Sequence, residues 1–599
     1  MSPLLEVRGL DVEFDGSAAV RDVSLTLERG EVLGLVGESG SGKSATALAV
    51  LGLLPGNATV RGSVRLDGAE LLGAGERELT RIRGGRVAMV FQDPLSAFTP
   101  VYRIGDQIAE AVRAHRDVSR ERARERAVEL LGLVGIPEPA LRARAFPHEF
   151  SGGMRQRAMI AMAMANDPDV ILADEPTTAL DVTIQAQILD VLRTAQRETG
   201  AAVLLVSHDL GVIAGMADRV AVMRDGRLVE QGGVREVFGA PQEPYTRQLL
   251  AAVPRIDTPL EPRPVGGEPV LTVRGLTRTF PVQAGALVRR RVGTVYAVDG
   301  VDLDIRRGET LALVGESGSG KSTTLFELLE LAPPEGGSVE LFGQRLGALT
   351  KAETKGLRRR IQIVFQDPMA SLDPRMPVGD IIAEPLRTQG ADREAVSRRV
   401  PELLSRVGLE PAHADRFPHE FSGGQRQRIA IARALSVAPE LLVLDEPVSA
   451  LDVSVQADIL DLLGELKRQL GLAYLFVSHD LAVVRNIADR VSVMYLGRTV
   501  EAGPVSQVLT HPRHPYTQAL LSAVPIPDPA LEQDRRRTRI LLLGDPPSPT
   551  RRHDGCRFRP RCPLYADLPP ADQERCAHEV PEFEGDGAAC HFPRPRPVL

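Results

Sequence analysis

The sequence repeats itself over most of its length, and this repeat constrains the fold more than any other feature. The period is about 270 residues, which is too long for a solenoid repeat and suits a whole domain. At 599 residues the chain is also too long for one hydrophobic core. We therefore predict two copies of one domain. The repeated stretches, in the same order in both copies, are LVGESGSGKS (35–44 and 313–322), VFQDP (90–94 and 364–368), FPHEFSGG (146–153 and 417–424), DEP (174–176 and 445–447) and VSHDL (206–210 and 477–481).

Composition between and after the copies sets the predicted domain bounds. A stretch rich in Pro and Gly separates the copies and is typical of a linker. After the second copy, a tail begins like the end of the first copy (HPYTQALL against EPYTRQLL) and continues without a counterpart. We predict a first domain at 1–252, a linker at 253–270, a second domain at 271–510 and a C-terminal extension at 511–599.

The apolar pattern of each copy predicts an α/β core. Short apolar runs that end in charged residues, such as DVILADEP and YLFVSHD, are typical of buried parallel strands with functional C-terminal ends. The runs ATALAVLGLL, TTLFELLEL, RAMIAMAMA and RIAIARAL predict helices. Alternation in LLEVRGLDVEF predicts an added antiparallel sheet.

Bulk properties narrow the class of protein. The net charge of −7 gives no bias toward nucleic acid. No apolar run approaches the roughly 20 residues of a membrane-spanning helix, and the start lacks a basic and then apolar leader. We therefore expect a protein that stays in the cytoplasm and binds no nucleic acid.

Each copy contains the G-x4-G-K-S pattern of a phosphate-binding loop. Its glycines let backbone N–H groups surround phosphate oxygens, and the helix that follows points its positive end at the same site. Lys43 and Lys321 are predicted to reach the β- and γ-phosphates, and Ser44 and Ser322 to hold Mg²⁺. The predicted ATP-binding residues are Gly37, Ser39, Gly40, Ser41, Gly42, Lys43, Ser44, Ala45, Gly315, Ser317, Gly318, Ser319, Gly320, Lys321, Ser322 and Thr323.

Paired carboxylates end an apolar strand in each copy. The first of each pair, Asp174 or Asp445, suits the metal-holding position of nucleotide hydrolases. The second, Glu175 or Glu446, suits the group that orients or deprotonates the attacking water. Alone, a DEP sequence is also typical of a solvated acidic pair at a strand end.

The stretches FSGGMRQR (150–157) and FSGGQRQR (421–428) precede the carboxylates, and with them the chain resembles a pair of ATP-binding-cassette (ABC) ATPase domains of the P-loop NTPase fold. The resemblance implies two ATPs held head to tail through intramolecular pairing of the two domains. The signature of one domain would contact the γ-phosphate on the other, because SGG opens a helix whose N–H groups face an anion. The signature residues are Ser151, Gly152, Gly153, Ser422, Gly423 and Gly424.

The same resemblance assigns the remaining motifs. Gln92 and Gln366 match the glutamine loop that touches Mg²⁺ and water, Asp181 and Asp452 match the D-loop, and His208 and His479 match the switch histidine. Phe14 and Phe280 match the aromatic that stacks on adenine, with Tyr296 as a substitute in the second copy and core packing as the other reading.

Both ATP sites are predicted to hydrolyse. Site one would combine Lys43, Glu175 and His208 with the second signature, and site two the corresponding residues with the first signature. Met154 stands where the signature usually has Gln, but the serine and both glycines are present.

Among ABC ATPases, the FQDP, FPHEFSGG and HPYT segments resemble those of bacterial dipeptide and oligopeptide importers, here with two subunits fused. This implies two membrane permeases, an extracytoplasmic substrate-binding protein and a place at the cytoplasmic face of the membrane. Glutathione and nickel importers are the related alternatives. A soluble ABC ATPase without a membrane partner fits less well, because the linker is short and both cassettes lack cysteine.

The chain's four cysteines all lie in the tail, at Cys556, Cys562, Cys576 and Cys590. Disulfides are rare in the cytoplasm, and the spacing lacks the close pairs of a structural zinc site. Iron–sulfur clusters also take four thiolates. The resemblance implies a 4Fe–4S cluster, with zinc as the alternative metal and His553, His578 and His591 as alternative ligands.

Overall fold

The computed structural model describes residues 3–178, 180–258, 260, 263, 266–284, 290–449, 451–542, 544–550, 552, 554–583 and 585–598. The chain forms two compact units. The first contains Met1–Val253 and Pro525–Gly544, and the second contains Pro254–Val524 and Asp545–Leu599. The first unit thus includes a segment, Pro525–Gly544, that follows the second copy in sequence. The residues that join the two copies belong to the second unit. The four bounds drawn from composition stay a prediction.

A six-stranded sheet in the first unit brings the motif-bearing strands side by side. Its neighbouring strands run parallel except for the antiparallel pair at one edge. Because parallel strands end at the same edge, the loops that carry the motifs meet there. The order across the sheet is Arg227–Gly233, Arg219–Arg224, Val32–Val36, Ala202–Val206, Val170–Asp174 and Val87–Val90.

Alternating side chains of this sheet enter two separate cores. Leu33 and Leu35 pack toward the antiparallel sheet, together with Leu204, and all three are nearly fully buried. Val32 and Val36 point to the other face, where they pack among the helices. A sheet covered on both faces explains the continuous apolar runs in the sequence.

The antiparallel sheet and the helices complete the first unit. The sheet has the order Ser17–Leu27, Leu5–Phe14, Ala58–Leu66 and Ala69–Glu70. The helix after the phosphate loop ends at Val50, short of the predicted ATALAVLGLL run, because the chain turns at Gly52 with φ 59°. The helices are Lys43–Val50, Glu76–Ile82, Pro94–Ala97, Ile104–His115, Arg120–Leu133, Pro139–Arg142, Gly152–Ala163, Val182–Thr199, Leu210–Met216, Val234–Gly239, Pro244–Ala252 and Pro529–Arg535, with a 3₁₀ turn at Pro147–Glu149.

The second unit repeats this architecture, with two differences. The first hairpin of its antiparallel sheet is longer, and the C-terminal tail adds short helices. The six-stranded sheet has the order Ile361–Val364, Leu441–Asp445, Ala473–Val477, Thr310–Val314, Arg490–Tyr495 and Arg498–Pro504. The antiparallel sheet has the order Arg290–Arg306, Pro269–Ala284, Gly336–Leu341 and Gln344–Arg345. The helices are Lys321–Glu330, Lys351–Arg360, Pro368–Ser371, Val378–Thr388, Arg393–Arg406, Gly423–Leu435, Val453–Leu470, Leu481–Ile487, Val505–Val508, Pro515–Ala523 and Pro570–His578, with 3₁₀ turns at Pro411–Asp415, Pro418–Glu420, Arg559–Arg561 and Tyr565–Asp567.

The predicted α/β class, with an antiparallel and a helical part in each copy, is confirmed. Within the described residues, none of the helices combines the length and the apolar character that crossing a membrane requires.

Candidate functional site

The first phosphate-binding loop has a shape that glycine makes possible. Gly42 has φ 99°, and a Cβ there would lie 2.6 Å from the carbonyl oxygen of Ala19. The helix Lys43–Val50 starts directly after it. Lys43 Nζ donates to the carbonyls of Gly37 and Glu38, at 2.8 Å each. The lysine therefore lies across the loop, in the place from which it reaches phosphate oxygens.

Buried polar atoms inside both loops fit a phosphate ligand. Ser41 Oγ and Ser319 Oγ are buried, and neither has a hydrogen-bond partner among the residues that the structure describes. A buried hydroxyl without a partner is costly in a folded protein. Phosphate oxygens at this position would accept from both hydroxyls.

The serine and aspartate predicted to hold Mg²⁺ have oxygen atoms suited to that ion, and in the first unit the two residues touch. In the first unit, Ser44 Oγ donates to Asp174 Oδ1 at 3.0 Å. In the second unit, Asp445 Oδ1 is buried without a hydrogen-bond partner in the described part of the chain. Burial, followed by the neighbouring Glu446, raises the pKa of Asp445. A hard cation would satisfy this oxygen, so the hydroxyl and carboxylate oxygens fit Mg²⁺.

A hydrogen-bonded group surrounds the predicted water-activating residue of the first unit. Gln92 Nε2 donates to Glu175 Oε2 at 2.9 Å, and His208 Nδ1 lies 3.2 Å from Glu175 Oε1. Thr178 Oγ1 donates to the same carboxylate at 2.8 Å. The three motifs, far apart in sequence, thus converge on one carboxylate. The contact of Thr178 with Glu175 was not predicted from the sequence, because Thr178 belongs to none of the recognised motifs.

The second unit has the same group. Gln366 Nε2 donates to Glu446 Oε2 at 3.0 Å, and His479 Nδ1 lies 3.1 Å from that oxygen. Glu446 and Glu175 both have φ 45°, in the left-handed region that a glutamate rarely adopts. The same strained backbone in both copies holds each carboxylate at the strand end in the same orientation.

The electrostatics of this group favour an ionised pair. Burial by itself would raise the pKa of Glu175, but His208 foremost, with Thr178 and Lys43, lowers it to about 2. The hydrogen bond to Glu175 raises the pKa of His208. The Glu175 carboxyl is therefore ionised, and its hydrogen bond to His208 favours the charged form of the imidazole.

Each signature serine caps a helix and remains exposed. Ser151 accepts from the backbone N–H of Met154 at 3.2 Å, and Ser422 accepts from that of Gln425 at 3.3 Å. The Gln425 side chain also accepts from the backbone of Ser422, at 3.0 Å, a reciprocal bond that Met154 cannot make. The serine cap has φ −66° and ψ 165° in both copies. Replacing Gln by Met thus leaves the first signature's cap geometry unchanged.

In each signature, packing requires that the second of the two adjacent glycines has no side chain. A Cβ on Gly153 would lie 2.6 Å from Ile184 Cγ2, and one on Gly424 would lie 2.2 Å from Val455 Cγ1. Asp181 and Asp452 of the D-loop begin the helices that carry these two side chains. Signature and D-loop are therefore held in register within each unit.

The aromatic side chains predicted to stack on adenine differ between the copies. Phe14 is partly buried and packs against the core. Phe280 is 42% exposed, with Arg278 5.3 Å from its ring centre. The guanidinium carbon of Arg552 lies 5.7 Å from the ring centre of Tyr296, and the backbone N–H of Tyr296 donates to the carbonyl of Pro549. Which of them contacts adenine stays a prediction.

The four cysteines converge in the second unit. Cys556, Cys562, Cys576 and Cys590 line one cavity of about 20 Å³, beside His514 and His591. Burial raises the pKa of all four thiols, to about 11 for Cys562 and about 12 for Cys590. Among the described residues, no group of three or more His, Cys, Asp or Glu is arranged to hold a metal ion. His553 lies outside the described residues. The structure therefore brings the four thiols to one cavity, but not into an arrangement that would hold a metal ion.

Two arginines between the first two cysteines have a role that the sequence analysis missed. Arg557 pairs with Asp299 and Arg561 pairs with Glu316, a residue of the second phosphate-binding loop. Arg561 is buried. Its position in the cysteine segment was the only sequence signal available.

Comparisons with known proteins agree with this geometry. The sequence pattern of the family "ABC transporter" matches residues 20–178 and 298–449. The pattern "Oligopeptide/dipeptide transporter, C-terminal region" matches residues 229–274 and 500–567.

Two curated relatives match over most of the chain. The oligopeptide transport ATP-binding protein OppD of Mycobacterium tuberculosis is 51% identical, over 88% of this chain and 100% of its own length. The glutathione import ATP-binding protein GsiA of Pectobacterium atrosepticum is 47% identical, over 92% of this chain and 93% of its own length. Among solved structures, a dimeric ATP-binding cassette with ADP and phosphate is 30% identical over 39% of this chain and 98% of its own, with a TM-score of 0.35.

Proposed function

Because this chain belongs to the ABC transporter family, we propose that it couples ATP hydrolysis to the import of dipeptides or oligopeptides. It is an ATP hydrolase with two cassettes in one chain. The match to the oligopeptide and dipeptide C-terminal region is the observation that carries the choice of cargo. A relative named for glutathione import makes glutathione the second candidate.

The residues of each unit divide the work of hydrolysis. The loop's N–H groups and Lys43 hold the phosphates, and Ser44 with Asp174 would hold Mg²⁺, whose charge offsets that of the phosphates. Glu175 orients the attacking water and accepts its proton, while Gln92 and His208 keep the carboxylate in place. The second unit uses its corresponding residues.

We further propose that the signature of one domain completes the ATP site of the other. Within each unit, Ser151 and Ser422 lie exposed at the start of a helix of 12 or 13 residues. The partial positive charge of such a helix start favours a γ-phosphate. Fusion in one chain keeps the two domains at high effective concentration.

The partners in this proposal are two membrane permeases and an extracytoplasmic substrate-binding protein, with the chain at the cytoplasmic face of the membrane. Relatives whose names state oligopeptide transport and glutathione import support this assignment. ATP and Mg²⁺ complete the set of ligands.

A transport assay tests the proposal. Vesicles that contain the permeases and binding protein are expected to take up labelled dipeptide or oligopeptide only with this chain and ATP. Unlabelled peptides should compete at least about tenfold better than glutathione, since a site built for one ligand rejects others. The control is the Lys43→Ala, Lys321→Ala double variant, which cannot hold the phosphates. Better competition by glutathione would reassign the cargo, and ATP hydrolysis without uptake of any cargo would favour a soluble ABC ATPase.

For the tail we propose that the four cysteines hold a structural 4Fe–4S cluster. Their convergence on one apolar-walled cavity supports this, since four thiol sulfurs are the ligand set of such a cluster. The cluster would connect segments of a tail that has little core of its own.

Metal analysis of protein purified without oxygen tests this assignment. We expect about four irons and four sulfides per chain, following the stoichiometry of the cluster, with loss of iron in Cys562→Ser. Ser548→Ala, in the same tail but away from the cysteines, is the control. A colourless protein with about one zinc per chain would show that the iron–sulfur assignment is wrong.

A further inference from the structure

The second phosphate-binding loop is held by an ion pair with the C-terminal tail. Arg561 Nη1 donates to Glu316 Oε2 at 2.7 Å, and Arg561 Nη2 donates to Glu316 Oε1 at 3.0 Å. Both side chains are 2% exposed. Two parallel bonds between a guanidinium and a carboxylate fix the orientation of both groups.

The backbone of Glu316 is held as well. Its N–H donates to Tyr516 Oη at 2.9 Å, and its carbonyl accepts from Lys321 Nζ at 3.0 Å. Tyr516 is fully buried and packs against Tyr495 and Phe558, with ring centres 4.7 and 5.4 Å apart. The loop residue next to Gly315 is therefore anchored through its side chain, its N–H and its carbonyl.

The energetics of a buried pair make this contact sensitive to change. Burial would lower the pKa of Arg561, but the bonds to Glu316 more than compensate and raise it. Removing one partner leaves the other charge buried without compensation, which costs far more than the pair contributes. The tail and the loop therefore depend on each other for position.

The first phosphate-binding loop is less buried at the corresponding position. Glu38 occupies the position of Glu316, yet it is partly exposed, whereas Glu316 is 2% exposed. The segment that carries Arg561 has no counterpart after the first copy. The two loops have almost the same sequence, so the difference comes from the tail.

We propose that Arg561, together with Tyr516, is a positioning residue for ATP at the second site. By holding Glu316, the pair keeps the backbone N–H groups of the loop in their phosphate-binding arrangement before ATP arrives. Preorganisation of this kind raises affinity because less order must be created on binding. The inference rests on ATP binding at the second loop and is independent of cargo, permeases and metal.

Nucleotide affinity, measured one site at a time, tests this role. In the Lys43→Ala background, a fluorescent ATP analogue reports the second site; in the Lys321→Ala background, it reports the first. We expect Arg561→Gln to weaken second-site binding about tenfold, as the loss of preorganisation implies, and to change first-site binding by less than about twofold. Tyr516→Phe, which removes a single oxygen, should weaken the second site alone by a smaller factor.

Two further variants separate positioning from general damage. Arg559→Gln removes the same charge from the same segment, where Arg559 faces the ring of Tyr565 rather than the loop, and should leave both affinities unchanged. The Glu316→Gln, Arg561→Gln double variant should bind no more weakly than Arg561→Gln alone, because the two residues act as one unit. Equal weakening at both sites, or an unchanged second site in both Arg561→Gln and Tyr516→Phe, would overturn the proposal. Binding at neither site in the parent backgrounds would contradict ATP binding itself.

Discussion

Replacing Glu175 by Gln, or Glu446 by Gln, is expected to reduce hydrolysis at the altered site by at least about 100-fold, the usual contribution of a general base, and replacing both should reduce phosphate release of the whole protein by the same factor. Glutamine cannot accept the proton of the attacking water. Each carboxylate also contacts its histidine, at 3.2 and 3.1 Å, so the substitution removes a charge from the group. Steady-state and single-turnover phosphate release, with ATP binding measured in parallel, check this result.

Matched controls are available in both copies. Glu198→Gln and Glu465→Gln make the same change at exposed positions on the helices that follow the carboxylates, and should leave hydrolysis unchanged. Both copies have the same Glu, His and Gln contacts, which is why we expect two competent sites. Full hydrolysis and transport in one of the two variants would show that only the other site works.

Replacing Glu532 by Ala is expected to release the segment Pro525–Gly544 from the first unit. Glu532 is 2% exposed and accepts from Arg535 at 2.9 Å and from Arg539 at 2.6 Å. Its Oε1 also accepts from the backbone N–H of Ile526 at 2.9 Å. Without this carboxylate, buried guanidinium groups lose their counter-charge, at a cost of about 3 kcal/mol or more.

This segment packs against a helix that lies next to a predicted site residue. Its helix Pro529–Arg535 contacts the helix Leu210–Met216, which begins two residues after His208. Pro525 lies so close to Gly211 that a Cβ there would be 2.9 Å from its backbone. The chain after the second copy thus supports the helix that directly follows His208 of the first.

Limited trypsin digestion and thermal unfolding measure the release of the segment. In Glu532→Ala, the arginines of the segment should be cleaved at least about tenfold faster, since proteolysis follows the population of the open form. Asp534→Asn, exposed on the same helix, is the control and should behave like the wild type. Unchanged cleavage and unfolding in Glu532→Ala would show that the carboxylate does not hold the segment.

Much of the site was predictable because its chemistry is encoded locally. The loop containing Lys43 and the signature beginning at Ser151 depend on glycines and caps within a few residues, so a short pattern specifies them. The convergence of Gln92, Glu175 and His208 also followed, because buried parallel strands end at one edge of a sheet. Two similar copies removed the ambiguity that a single motif leaves.

Other features were set by contacts between residues far apart in the chain. Arg561 pairs with Glu316, which lies 245 positions earlier in the chain. The four cysteines were expected at a metal site, and they converge on one cavity without an arranged metal group. The spacing of residues in the sequence predicts neither the ion pair nor the cavity, because the partner of a buried charge depends on which surfaces pack together.

The amino-acid sequence by itself determined that this chain contains two α/β domains, each with a glycine-rich loop and a carboxylate pair at a strand end, because glycine loops, strand periodicity and caps act over short distances. Only the tertiary structure decided which segments complete each unit and that the tail holds the second phosphate loop. Those contacts join residues hundreds of positions apart, and their stability comes from burial and charge pairing that no local pattern encodes.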